Sequence, residues 1–105
     1  MSDTEEREFS NFHQFYQYYL SEHSSPLNRR FHFAGCIVVL IIVLTALLSR
    51  NLAILLLAPL FGYGLAWLGH YIAEKNNPAT FKHPLWSLLS EWLMFKDILT
   101  GKVRL

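Results

Sequence analysis

The residues of this chain best suited to chemistry are His23, His32, His70, Glu74 and His83. Neutral imidazole binds zinc, copper, iron and nickel. Two histidines with one carboxylate and open positions suit ferrous iron that activates oxygen. Residues 70 and 74 are four apart, so on a helix both side chains can point at one ion or at each other. A set of four histidines without a carboxylate is the alternative, and a closed zinc site would be structural rather than catalytic. Spacing alone does not choose between them. The competing reading has no metal: a hydrogen-bonded His70–Glu74 pair that fixes helix packing, and a His32 bonded to a backbone carbonyl. His83 precedes Pro84 and either caps a last helix or completes the site. Glu74 is a ligand, a partner that orients His70, or a packing group.

Two apolar runs must position these groups, Phe33–Leu48 and Leu52–Ile72, with only Ser49-Arg50-Asn51 between them. As helices they form a tight antiparallel hairpin, which brings His32 and His70 to the same depth at its open end. A spanning helix needs ~20 mostly apolar residues. Both runs meet that length and are apolar on every face rather than along one stripe. The spacing therefore predicts transmembrane helices over 26–49 and 52–74. Ionisable groups at such depth are costly and usually face an interior site.

Composition agrees with a membrane chain. Of 105 residues, 52% are hydrophobic and 16% charged, against roughly 25% charged in soluble domains. A net charge of +1 argues against nucleic acid as a partner, because phosphate binding needs a concentrated basic surface. Cys36 is the single cysteine and reads as a small buried hydrophobe. The polar, acidic start argues against a cleavable signal peptide. Arg7, Arg29 and Arg30 precede the hairpin and Lys75, Lys82, Lys96, Lys102 and Arg104 follow it, whereas the loop holds Arg50 alone. Both termini and the histidine end are expected on the cytoplasmic side.

Two further helices flank the hairpin. Over 9–23, Phe9, Phe12, Tyr16 and Tyr19 share one face with Phe15 and Tyr18 beside it, while His13 belongs to the same aromatic surface. Amphipathic rings favour the headgroup level, so this reads as a helix lying on the membrane. Ser25 can cap the next helix, with Pro26 at its first position. In the second span, Gly62, Ala66 and Gly69 make a small-residue face through which a second copy could pack; Tyr63, Trp67, His70 and Glu74 face an interior cavity. A turn at Asn76-Asn77-Pro78 leads to an amphipathic helix over 84–100, stopped at Gly101. Leu85, Leu88, Leu89, Trp92 and Leu99 form its apolar side, with Ser87, Ser90, Glu91, Met94 and Asp97 more polar. The expected fold is an all-α membrane protein of one domain, residues 1–105: a two-helix transmembrane hairpin flanked by two amphipathic interfacial helices.

Three segments carry a family resemblance: Phe15-Tyr16-Gln17-Tyr18-Tyr19 with His23, Asn28-Arg29-Arg30-Phe31-His32, and Gly69-His70-Tyr71-Ile72-Ala73-Glu74-Lys75-Asn76-Asn77-Pro78-Ala79. They resemble the Mpo-like membrane-bound 2-hydroxy fatty acid dioxygenases of α-oxidation, formerly catalogued as a domain of unknown function. The resemblance runs from Phe12 to Gly101. It implies Fe²⁺ as cofactor (zinc being the alternative), His23, His32 and His70 as iron-site residues with Glu74 matched, and a fatty acid substrate. Arg29 or Arg30 is placed to hold the substrate's carboxylate. The characterised fungal member is longer and has a further histidine in a middle region missing here, a ligand that His83 could replace. The short form resembles a bacterial branch, which implies the bacterial inner membrane. The competing class is a non-catalytic membrane scaffold or lipid-binding module.

Overall fold

The computed structural model describes residues 9–77 and 82–105. Among these the chain forms four helices and no strand: α1 (Phe12–Ser21), α2 (Pro26–Ser49), α3 (Leu52–Glu74) and α4 (Pro84–Leu99). Each boundary has a local cause. Asn11 caps α1 by accepting from the Gln14 N–H at 2.9 Å, while Gln14 Oε1 accepts from the Ser10 N–H at 3.0 Å. The first helix therefore begins at Phe12, three residues later than the aromatic periodicity suggests. Ser25 accepts from the Asn28 N–H at 3.4 Å with Pro26 at the first position of α2. Arg50 ends α2 in the left-handed conformation (φ 59°), and the Asn51 side chain caps the start of α3 by accepting from the Ala53 N–H. Gly101, at φ +87°, stops the chain beyond α4, where Val103 N–H donates to Asp97 O at 3.0 Å.

α3 changes pitch twice. It opens as a 3₁₀ helix over Leu52–Leu56, runs as α-helix over Leu57–Gly69, and closes as a π-helix over His70–Glu74. Single π turns occur frequently at functional sites.

α2 and α3 are long and apolar enough to cross a membrane, with mean hydropathies of 2.7 and 1.9 over their most apolar stretches. Only 22% and 11% of those stretches are buried, the reverse of the core helices of a soluble protein. Leu44, Leu48, Leu56 and Leu60 all stand outward.

The small-residue face of α3 is used within the chain. A Cβ on Gly62 would stand 3.0 Å from Val39 Cγ2, a Cβ on Gly35 would meet Gly62 O at 3.4 Å, and Gly69 sits against Asn28 and Phe31. Gly62 and Gly69 of the small-residue face thus meet α2 within the same chain. Helix backbones approach this closely only where side chains are small.

The flanking helices pack on each other. Phe15, Tyr16, Tyr19, Met94 and Val103 form a buried cluster between α1, α4 and the tail. The aromatic face of α1, expected to meet lipid, covers α4 instead. α4 turns its polar side inward: Ser87, Ser90, Met94 and Asp97 are buried, while Leu85, Leu88, Leu89 and Leu99 are exposed. Tyr16 O–H donates to Asp97 Oδ2 at 2.7 Å, satisfying that buried carboxylate.

Candidate metal centre

Three elements converge on one buried point: His23 from the turn after α1, His32 from the first turns of α2, and His70 from the π turn of α3. The three rings are buried, and one ligand nitrogen from each lies within 4.8 Å of the other two. Ring centroids are 4.3, 4.4 and 5.1 Å apart for the pairs 23–32, 23–70 and 32–70.

The hydrogen bonds around the rings assign the tautomers. His23 Nδ1 lies 2.7 Å from Tyr19 O, a carbonyl that can only accept. His32 Nδ1 lies 2.6 Å from Glu91 Oε1. His70 Nδ1 lies 2.6 Å from Asn76 Oδ1. The orientation of Asn76 follows from its amide nitrogen, which donates to Glu22 O and Glu22 Oε1 at 3.3 and 3.2 Å. Each Nδ1 therefore carries a proton, and in the neutral ring Nε2 is the nitrogen left with a lone pair.

His23 Nε2 and His32 Nε2 stand 3.1 Å apart. Two lone pairs at that distance repel unless a cation lies between them, and a single proton could bridge only two of the three rings. Nitrogens on one ion at ~2.1 Å each stand roughly 3.0–3.4 Å apart, so the His23–His32 spacing fits a shared metal, with a His70 nitrogen within 4.8 Å of both. Burial, with the neighbouring His32 and His70, pushes the His23 pKa well below the usual imidazole range. Its ring is therefore held neutral, as a ligand must be.

The donor set is three imidazoles. Among the described residues no fourth histidine, cysteine or carboxylate joins the group. Closed structural zinc sites use four protein ligands, whereas catalytic sites keep a position open. The three histidines can bind a metal ion and leave room for a ligand from outside.

The other sequence candidates lie elsewhere. The Glu74 carboxylate accepts from Ser25 N–H at 2.5 Å, Ser24 O–H at 3.3 Å and Asn28 Nδ2 at 3.4 Å. It ties the end of α3 to the start of α2, outside the group of ligand atoms. The π turn carries Glu74 around the axis, away from the register that α-helical spacing predicts. His83 meets Phe9 edge-on at 5.4 Å and Phe15 at a tilt at 5.1 Å, stacks on Trp86, and makes no side-chain cap bond to α4; it too is outside the group. The Arg29 guanidinium donates to His23 O at 2.7 Å and to Arg104 O at 3.0 Å, which fixes the His23 turn and the C-terminal tail. Arg30 is exposed beside it and His13 is exposed on α1.

Glu91 and Asn76, which hold two of the three rings, are the candidate site residues that the sequence did not single out. Glu91 accepts from His32, from Tyr19 O–H at 2.6 Å and from Cys36 S–H at 3.5 Å. Burial works to raise the Glu91 pKa, but the His32 ring and these hydrogen bonds outweigh it and hold the carboxyl below its usual range. A signal existed: Glu91 is the one formal charge between Lys82 and Lys96, set among tryptophan, leucine and serine. Outer partners of metal-bound histidines fix ring orientation and raise basicity. Glu91→Gln, which keeps the shape but removes the charge, is expected to weaken metal binding by roughly 10- to 100-fold. Competition against a graded series of chelators would measure it, and an unchanged affinity would remove Glu91 from that role.

A cavity of about 270 Å³ opens directly beside the group. His32, His70, Glu91, Ser87 and Tyr19 line its polar end. Val39, Ala58, Pro59, Gly62, Tyr63, Ala66 and Trp67 continue it between α2 and α3, with Leu88 and Trp92 from α4. From His70 to Ala58 is twelve residues, so this wall runs roughly 18 Å along α3 at 1.5 Å per residue.

The 2-hydroxy-palmitic acid dioxygenase Mpo1-like family model matches residues 9–103. The chain belongs to this family. The Mpo1-like match covers all four helices and takes in each of the three histidines, together with Glu91 and Asn76. Comparison with curated proteins and with solved structures finds no match.

Proposed function

We propose that this chain is an iron-dependent dioxygenase of the membrane that shortens 2-hydroxy fatty acids by one carbon, cleaving the bond between C1 and C2. The observation that carries the reading is the meeting of three convergent, buried imidazoles with an apolar cavity long enough for an acyl chain. His23, His32 and His70 would hold Fe²⁺, which when bound supplies activation of O₂. The chain's own residues do the rest. Tyr19 O, Glu91 and Asn76 hold the three rings in the ligating tautomer. Val39, Ala58, Pro59 and Ala66 take the tail and keep water from it. Arg30, exposed at the start of α2, is available to a lipid headgroup at the surface, a role Arg29 gives up by holding His23 O. By charge bias the histidine end and both termini face the cytoplasm, and the inner membrane of a bacterium is the expected setting.

Anaerobic purification in detergent, elemental analysis and a product assay with 2-hydroxypalmitate test the reading together. Near-stoichiometric iron and an oxygen-dependent, one-carbon-shorter product are expected. Tightly held zinc, or no shortened product from iron-loaded protein, would overturn it in favour of a structural site or a lipid-binding scaffold.

A further inference from the structure

Ser87 is 5% exposed, lines the cavity beside His32, His70 and Glu91, and its hydroxyl has no hydrogen-bond partner among the described residues. A buried hydroxyl left unbonded in a native structure needs an explanation, and an absent ligand is one. Four residues on, Glu91 shares the same face of α4. Its Oε1 already accepts from His32 and Tyr19, each at 2.6 Å. Its Oε2 has only the Cys36 thiol at 3.5 Å, a weak donor that leaves acceptor capacity unused. The polar end of the cavity thus offers one donor without an acceptor and one acceptor without a strong donor. A hydroxyl, which donates once and accepts twice, matches both. A carboxylate placed there would face the like charge of Glu91.

We infer that Ser87 Oγ and Glu91 Oε2 form the subsite for the 2-hydroxyl of the bound acyl chain, so that Ser87 helps select hydroxylated over plain fatty acids. The inference rests on the proposed function, since it assumes an acyl ligand in this cavity. Ser90 supplies an internal control. Its hydroxyl is equally buried and equally without a partner, but it does not line the cavity.

The test is binding rather than turnover. Protein in lipid nanodiscs, handled anaerobically, is titrated with 2-hydroxypalmitate and with palmitate, and the signal is the fluorescence of Trp67 and Trp92 in the cavity wall. Wild type is expected to prefer the hydroxylated acid. Ser87→Ala should lose roughly threefold to tenfold of that preference, the worth of one neutral hydrogen bond, with palmitate affinity unchanged. Ser90→Ala should keep the preference whole. Both variants remove an unsatisfied hydroxyl, so neither should lower the thermal midpoint. The subsite is overturned if Ser87→Ala keeps the full preference, if it weakens both acids together, or if Ser90→Ala shows the same loss. Equal binding of both acids by wild type that still forms the shortened product would remove the subsite alone. Binding of neither acid would remove the subsite and the proposed function together.

Discussion

His70→Ala is expected to empty the metal centre, taking metal content from near-stoichiometric to background. The variant leaves two imidazoles in a buried pocket where no fourth ligand among the described residues can substitute. Loss of an outer partner alone costs roughly 10- to 100-fold in affinity, and loss of a ligand should exceed the upper figure. The helices should still form, because α2 and α3 owe their apolar length to residues far from the site. The Asn76 amide also keeps its bonds to Glu22 O and Oε1, so the end of α3 remains tied to the end of α1. Elemental analysis beside a circular-dichroism spectrum separates the outcomes. Glu74→Ala is the matched control: it breaks the bonds to Ser24, Ser25 and Asn28 but should leave the metal in place. Full metal content in His70→Ala would contradict the ligand assignment. Its loss in Glu74→Ala with helix content intact would return the carboxylate to the site.

The second large effect is expected from a single methyl group at Gly69. A Cβ there would overlap Asn28 Oδ1 and stand 2.9 Å from Phe31 Cβ. Neither neighbour can give way easily. Asn28 is fully buried and tied through its backbone N–H to Ser25 Oγ and through its amide to Glu74. Phe31 Cβ is fixed to the backbone of α2. Overpacking costs about 1–3 kcal/mol and occasionally more, and Gly69→Ala should fall at the upper end. Because Gly69 adjoins His70, relief of the clash moves α3 away from α2 and separates His70 from His32. A lowered thermal midpoint and lost metal are therefore expected together. Gly64 is the contrast, since a Cβ there meets nothing within 4 Å. Gly64→Ala should hold or raise the midpoint, since helix propensity favours Ala by up to ~1 kcal/mol. Wild-type stability and metal content in Gly69→Ala would show that the close approach is not required.

Much of the molecule was legible in order along the chain. The two apolar runs and their three-residue break imply the hairpin, and an antiparallel hairpin brings His32 and His70 to one depth by geometry alone. Ser25-Pro26 and Gly101 marked helix ends because capping is a local matter of side-chain oxygens and permitted φ. His23 sat at a visible helix break. What no local pattern could supply was which side chains complete the centre. Glu91 reaches His32 across 59 positions of sequence, and Tyr19 across 72. Those contacts exist only because α4 lays its polar side on α1 and α2. The small-residue face shows the same limit, since such a stripe prescribes close packing but not the partner, and within this chain Gly62 and Gly69 meet α2. The choice among ligand, orienting partner and packing group for Glu74 was open for a different reason. Four-residue spacing brings it near His70 on one side in an α-helix, and the π turn over His70–Glu74 swings it to the other side, where it accepts from Ser25 N–H at the start of α2. Sequence determined which residues could bind and at what depth, because periodicity and capping are local. Tertiary structure decided which of them meet, because hydrogen bonds between distant elements depend on how the helices pack.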